Sequence, residues 1–225
     1  MSRPPLVAVA HGSSYPAAAE AVNALARQVS RLAPVIDIRV AFVQHAEPSL
    51  SQALAEAGED AVVVPLLLST GYHLTTDITA AAHSPSTPPH RIAGPLGPDQ
   101  LLVTALMSRL AEAGVPKDVG VVLAATGSSD PAAADQVTAQ AKLLAAELSA
   151  PVIGAFAASG KPSVEDAVAD LRLTTGGPIA VASYLLAPGL FHDRLAKSGA
   201  DWVTAPLGDH PAVAALVIDR YRTAA

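Results

Sequence analysis

The 225-residue chain contains no cysteine, which excludes disulfides, thiolate metal sites and a cysteine nucleophile; any metal must be held by nitrogen or oxygen. Aromatic residues make up 4% of the chain and charged residues 15%, against 51% hydrophobic residues. Packing therefore falls to alanine and the aliphatics, which suits close helix-on-sheet layers better than an aromatic-rich binding surface. No apolar run approaches the roughly 18 residues of a membrane-spanning helix. The short apolar run before His11 lacks the hydrophobic core of a signal peptide, so a cytoplasmic protein is expected. Positive charge is scarce as well, 14 Lys and Arg against 20 Asp and Glu, which argues against a nucleic-acid or anionic-membrane surface. The resulting net charge of −6 divides evenly between residues 1–115 and 116–225. No GxSxG elbow, HExxH or EF-hand pattern is present.

Strand and helix patterns alternate from the start. Residues 6–10 read as a short buried strand and 11–16 as a turn, after which Val22, Leu25, Ala26, Val29 and Leu32 mark one face of a helix. A second strand is expected over 35–43, then a short helix opened by Pro48 and Ser49 and closed at Gly58. A third strand over 61–68 is apolar from Val62 to Leu68 and hence covered on both faces. Gly71 permits a tight turn that delivers His73, and Thr75 or Thr76 with Asp77 are placed to cap a weak helix over 75–83. A proline-rich loop, SPSTPPH, a strand over 91–93 and a helix over 98–113 complete the unit.

From Gly120 the same order returns, and local matches make this more than a shared period. LVAVAHGSSYPAAAEAV, from Leu6, matches VVLAATGSSDPAAADQV, from Val121. FVQHAEPS, from Phe42, pairs with FAASGKPS, from Phe156; VVVPLLLSTGYH, from Val62, with AVASYLLAPGLF, from Ala180; and RIAGPLGPDQ, from Arg91, with WVTAPLGDHP, from Trp202. The chain reads as a duplicated α/β unit with its boundary in GVPKD, which gives lobes over 1–115 and 116–225. Alternation implies two similar three-layer αβα lobes with mainly parallel sheets, and a site in the cleft between them.

The halves differ where chemistry is expected: His11 aligns with Thr126, and His73 with Phe191. Two histidines at the carboxyl ends of buried strands of one lobe converge naturally on one ion, so His11 and His73 are the candidate base or metal ligands. Gly12, Ser13 and Ser14 stand where the first strand meets its helix, a place for an anionic group, and Ser128 and Ser129 repeat them. The plain alternative for these serines is helix capping. Gln44 and His45 end the second strand, and alternation lets at most one of them reach the site. Glu47 favours a nearby helix start. His83, His90, His192 and His210 read as solvated loop residues.

AHGSS after the first strand, AEPS after the second and PLLLSTGYHLTTDI after the third together resemble the sirohydrochlorin chelatase family, the small class II tetrapyrrole chelatases, over nearly the whole chain and in the family's long two-domain form. The resemblance implies insertion of Co²⁺ or Fe²⁺, with Ni²⁺ as a further substrate, into metal-free sirohydrochlorin, on the path to cobalamin or sirohaem, with no organic cofactor. It implies metal-site roles for His11 and His73; beside it, the reading of the residues themselves puts Gln44 or His45 as a third contact and Gly12, Ser13, Ser14, Gly71, Ser128 and Ser129 around the substrate. Many members carry glutamate where this chain has Gln44. A neutral amide is a poorer ligand and no base near neutral pH. The substrate's carboxylates need positive partners, for which Lys161, Arg194 and Lys197 lie near loops of the second half. Duplication within one chain favours a monomer. Two rival classes are a tetrapyrrole or metal carrier without turnover, and an unrelated α/β enzyme acting on a small anion at the paired GSS turns.

Overall fold

The computed structural model describes residues 3–71, 73–83 and 90–225, with residues 73–75 described by their backbone alone. The first repeat opens with β1 (Leu6–Ala10), whose five residues are all buried, and α1 (Pro16–Leu32). Pro16 sets the first turn of α1, and Ala18, Val22, Leu25 and Val29 recur at helical spacing to form its buried face. There follow β2 (Ile38–Phe42), α2 (Leu50–Ala57) and β3 (Val62–Pro65). A π-helical turn (His73–Ile78) runs into α3 (Thr79–Ala82), before β4 (Arg91–Ile92) and α4 (Gln100–Glu112). The second repeat gives β5 (Gly120–Ala125), α5 (Pro131–Leu148), β6 (Val152–Phe156), α6 (Val164–Thr175), β7 (Ile179–Ser183), α7 (Leu190–Leu195), β8 (Trp202–Val203) and α8 (Pro211–Ala224).

Two four-stranded sheets result, ordered β2-β1-β3-β4 and β6-β5-β7-β8. Every strand pairing in both is parallel. Side chains alternate along a strand, so each sheet has two faces to bury. In the first sheet Val7, Val9, Ala41 and Val63 pack with Leu50, Ala53 and Leu54 of α2 and with Ile78 and Ala82, while α1 and α8 cover the other face. In the second, Val122, Ala124, Ala155 and Val181 pack with α6 and Leu195 of α7, and α4 and α5 take the opposite face. The α/β class and the two similar three-layer lobes are as expected from the alternation.

Several boundaries differ from the sequence expectation. The third strand ends at Pro65 rather than residue 68. Beyond it the Leu66 amide still donates to Val9 O at 2.7 Å, and Leu67 O accepts from Leu96 N at 2.8 Å. The weak helix starts at His73, so Thr76 and Asp77 lie inside it and do not cap it. The proline-rich loop at 84–89 lies outside the described residues. Among the described residues, no helix is long and apolar enough to cross a membrane.

Packing divides the chain differently from the sequence repeats. One unit comprises the chain up to Leu96 together with Gly208–Ala225, and the other comprises Gly97–Leu207. The boundaries 1–115 and 116–225 therefore describe the repeats, whereas the final helix of each repeat belongs to the other unit. Gln140 of α5, fully buried, fixes the crossing of α4 by pairing both backbone groups of Asp99. Its Oε1 accepts from Asp99 N at 2.8 Å, and its Nε2 donates to Asp99 O at 3.2 Å. Leu102, Val103, Ala105, Leu106 and Leu110 of α4 are buried there, each large aliphatic contributing about 1.5–3 kcal/mol. At the return crossing the Tyr221 hydroxyl of α8 donates to Pro4 O at 2.7 Å.

Candidate metal site

In the first sheet β1 lies between β2 and β3, and the chain, having run outward to β2, returns to the far side of β1 to make β3. Such a reversal of strand order leaves a crevice at the carboxyl ends of the strands, where open α/β sheets hold ligands. Three segments leave the sheet there: His11-Gly12-Ser13 after β1, Val43-Gln44-His45 after β2, and the chain leading to Gly71 and the π-helical turn after β3.

The first two segments are stitched together by backbone. Val43 N–H donates to Ala10 O and Gln44 N–H to His11 O, both at 3.0 Å. Gly12 has φ +93, and a Cβ there would stand 1.6 Å from Gln44 O. Only glycine permits both that left-handed conformation and that approach. Beyond Gln44 the loop closes on itself. His45 is exposed and takes the left-handed turn, φ +63, ahead of the cis Glu47–Pro48 bond. Pro48 O then accepts from Phe42 N at 3.0 Å, and Ser49 and Gln52 form a reciprocal cap at the start of α2. Glu47 serves that helix start by accepting from Ser49 N at 2.9 Å.

This frame brings the side chain of Gln44 onto His11, with Gln44 Nε2 2.8 Å from His11 Nε2. Of the two candidates at the end of the second strand, Gln44 is the one that meets His11. His73 begins the π-helical turn after β3; its side chain, and with it the expected approach to His11, lies outside the described residues. Among the described residues, no group of three or more His, Cys, Asp or Glu side chains gathers at one point.

The GSS serines do not cap helices. Ser13 Oγ accepts from Tyr15 N and Ser128 Oγ from Asp130 N, both at 3.1 Å. The capping positions fall to Tyr15 and Asp130 because Pro16 and Pro131 fix the first helical residue. Ser14 and Ser129 are exposed. The two helix starts are capped differently: Asp130 accepts from Ala132 N with its carboxylate, whereas Tyr15 supplies no side-chain cap.

The second repeat preserves the frame without the histidine and the glutamine. Gly127 has φ +95, and a Cβ there would stand 1.7 Å from Ser159 O. Ala158 N–H donates to Thr126 O at 3.0 Å, so alanine and threonine stand where the first repeat has Gln44 and His11. Phe191, in the place of His73, lies under the Arg194 guanidinium, 5.6 Å from the ring centroid. Lys161, Arg194 and Lys197 are exposed.

The remaining histidines are more engaged than solvated loop residues would be. His90 is 3% exposed, and its Nδ1 accepts from Ala61 N at 3.2 Å. Burial lowers its pKa, with Asp60 opposing and His83 adding to the shift. The signal for it in the sequence was its position just before a strand that must pair with β3. His210 Nδ1 accepts from Ala212 N at 3.1 Å and so caps α8. His192 Nε2 stands 3.1 Å from Thr204 O, and only His83, bonded to Thr79 O within its own turn, matches the exposed reading.

Comparison with known proteins follows the same duplication. The chain is 28% identical to the sirohydrochlorin ferrochelatase of Bacillus subtilis, an alignment covering 96% of this chain and 90% of the relative. It is 28% identical to the sirohydrochlorin cobaltochelatase of Methanosarcina barkeri over 48% of this chain and 95% of that shorter protein. The structure of SirB from Bacillus subtilis with Fe³⁺ superposes with a TM-score of 0.83 at 27% identity, covering 98% of this chain and 95% of that one. The CbiX family model matches twice, over residues 5–113 and again over 120–224. Two matches in step with two sheets of the same strand order leave one conclusion: the chain belongs to the CbiX family.

Proposed function

We propose that the protein inserts a divalent metal ion into sirohydrochlorin, with Co²⁺ or Fe²⁺ as the ion and Ni²⁺ as a further substrate. The reaction takes a free divalent ion and a ring bearing two pyrrole protons, and gives the metallated ring and two protons. It therefore needs a ligand that holds the ion without caging it and a base for the protons. A neutral imidazole suits both tasks, because its nitrogen binds cobalt or iron reversibly and its pKa is about 6.5. The observation that carries the reading is the placement of His11 after the central strand of the first sheet, held by the Gly12–Gln44 backbone contact and met by Gln44. The relatives named sirohydrochlorin ferrochelatase and cobaltochelatase support the substrate.

In this reading His11 and His73 form the metal site of the first repeat, Gly12, Ser13, Ser14 and Gly71 border the ring there, and Ser128 closes the corresponding turn in the second. The protein acts as a cytoplasmic monomer without an organic cofactor. Purified protein supplied with metal-free sirohydrochlorin and Co²⁺ or Fe²⁺ should give the metallated spectrum over many turnovers. Replacing His11 or His73 by alanine should reduce the rate about 100-fold or more. Metallation no faster than the uncatalysed reaction would refute the proposal. The neutral Gln44 supports one second reading, a carrier of the metal or tetrapyrrole, and stoichiometric binding without turnover would assign it.

A further inference from the structure

The amide of Gln44 faces His11 with its nitrogen, 2.8 Å from the ring Nε2. An amide NH₂ only donates hydrogen bonds, so this contact requires the Nδ1–H tautomer of His11, in which the ring nitrogen that it meets accepts. The lone pair that Nε2 lends to the amide is the pair that an incoming metal ion would take at that atom. Amide and metal therefore compete for it.

The surrounding backbone keeps that competition in place. Gln44 N–H donates to His11 O at 3.0 Å, and the Gln44 carbonyl occupies the space that any side chain at position 12 would need. The amide reaches the ring across a fixed interval, from a loop that is itself closed through Pro48 and Ser49. In the second repeat the equivalent backbone bond joins Ala158 to Thr126, and alanine offers no amide side chain to meet the threonine.

Resting on the chelatase reading, we infer that Gln44 is a positioning residue that gates His11: it holds the ring in the Nδ1–H tautomer and occupies Nε2 until a borderline divalent ion displaces it. This role is opposite in sign to that of a third ligand. A ligating amide oxygen would add to metal affinity, whereas an amide N–H on the ring nitrogen subtracts from it. The subtraction is about 2- to 10-fold, the worth of one neutral hydrogen bond. A weakly held ion is what onward transfer to a ring requires.

Titration of the full chain with Co²⁺, followed by visible absorption against a competing chelator, tests the sign. Gln44→Leu should bind Co²⁺ about 2- to 10-fold more tightly than the parent protein, and Gln44→Glu, which replaces the donor by an anionic ligand, more tightly still. Nitrogen-15 NMR of the metal-free parent should show His11 Nε2 unprotonated, and Gln44→Leu should show a mixture of tautomers. Unchanged or weaker binding by Gln44→Leu, or a proton on Nε2 in the parent, would overturn the gate. His11→Ala separates this from failure of the site itself. If that variant loses Co²⁺ while Gln44→Leu binds more weakly than the parent, the metal site stands and the gate alone falls. If His11→Ala binds Co²⁺ as well as the parent, the site and the gate fall together.

Discussion

Arg109 and Arg220 stand at equivalent positions of the two repeats, and each guanidinium closes on the Pro-Leu-Gly segment of the other repeat. Arg109 Nη2 donates to Leu207 O at 2.9 Å. Arg220 donates through Nε to Pro95 O at 2.9 Å and through Nη2 to Leu96 O at 2.8 Å. Exchange of the terminal helices makes this reciprocity possible, because α4 and α8 each pack in the unit that holds the other repeat's segment. The carbonyls so bound sit where the chain crosses from one unit to the other.

Replacing Arg220 by methionine keeps most of the aliphatic packing and removes both charged hydrogen bonds. The expected loss is about 1.5–3 kcal/mol, seen as a lower urea midpoint with an unchanged slope. Arg109→Met removes one such carbonyl bond and should cost less. Arg109→Met also removes the ion pair with Glu112 at 2.6 Å, so it is compared in a Glu112→Gln background, where a loss equal to or larger than that of Arg220→Met would show that the second carbonyl bond of Arg220 contributes nothing.

The alternation of strand and helix, the duplication and the place of His11 were legible because each is written locally, in short apolar runs and in repeated glycine and proline segments. The helix exchange was not. The apolar faces of α4 and α8 specify that a sheet is to be covered, and no local residue names which one; the choice is made by Gln140, Arg109 and Arg220 through contacts distant in sequence. The GSS serines were misplaced by two positions because serine chemistry suits a cap, whereas Pro16 and Pro131 set the helix start more firmly. His90 was misread because a histidine beside prolines looks solvated, and its burial depends on the amide of Ala61 at the foot of β3. That Gln44 rather than His45 meets His11 follows from the closed loop after β2, where strand alternation no longer applies.

His90 should make stability depend on pH. Its neutral ring accepts the Ala61 amide, so a protonated ring would set donor against donor. Burial lowers the folded-state pKa below the ordinary 6.5. The folded protein then binds fewer protons than the unfolded chain in the interval between the two values, so stability rises with pH across it. The contribution is fully present above pH 6.5 and is lost as pH falls through the folded-state value. Asp60, which Arg91 also engages at 3.1 Å, opposes the shift and His83 adds to it. His90→Gln should be less stable than the parent at pH 7.5, while losing less further stability between pH 7 and 5. Parallel profiles from urea midpoints across that range would remove His90 as the cause.

Gly12 and Gly127 separate what the frame does from what the ligands do. Alanine at either position must adopt φ near +93 or +95 and place Cβ 1.6 or 1.7 Å from a backbone oxygen. The obstacle is main chain and not the free end of a side chain, so the two loops have to part. Each substitution should cost about 2–4 kcal/mol, and the two costs should be similar because the two contacts are. Function should not respond equally. Parting the loops at Gly12 separates Gln44 from His11, while parting them at Gly127 moves only Ser159, Ala158 and Thr126. Co²⁺ titration of the folded fraction should therefore show altered affinity for Gly12→Ala and the parent's affinity for Gly127→Ala. Loss of Co²⁺ binding by folded Gly127→Ala would mean that the second repeat supplies part of the metal site, and the assignment of that site to His11 and His73 of the first repeat alone would fail.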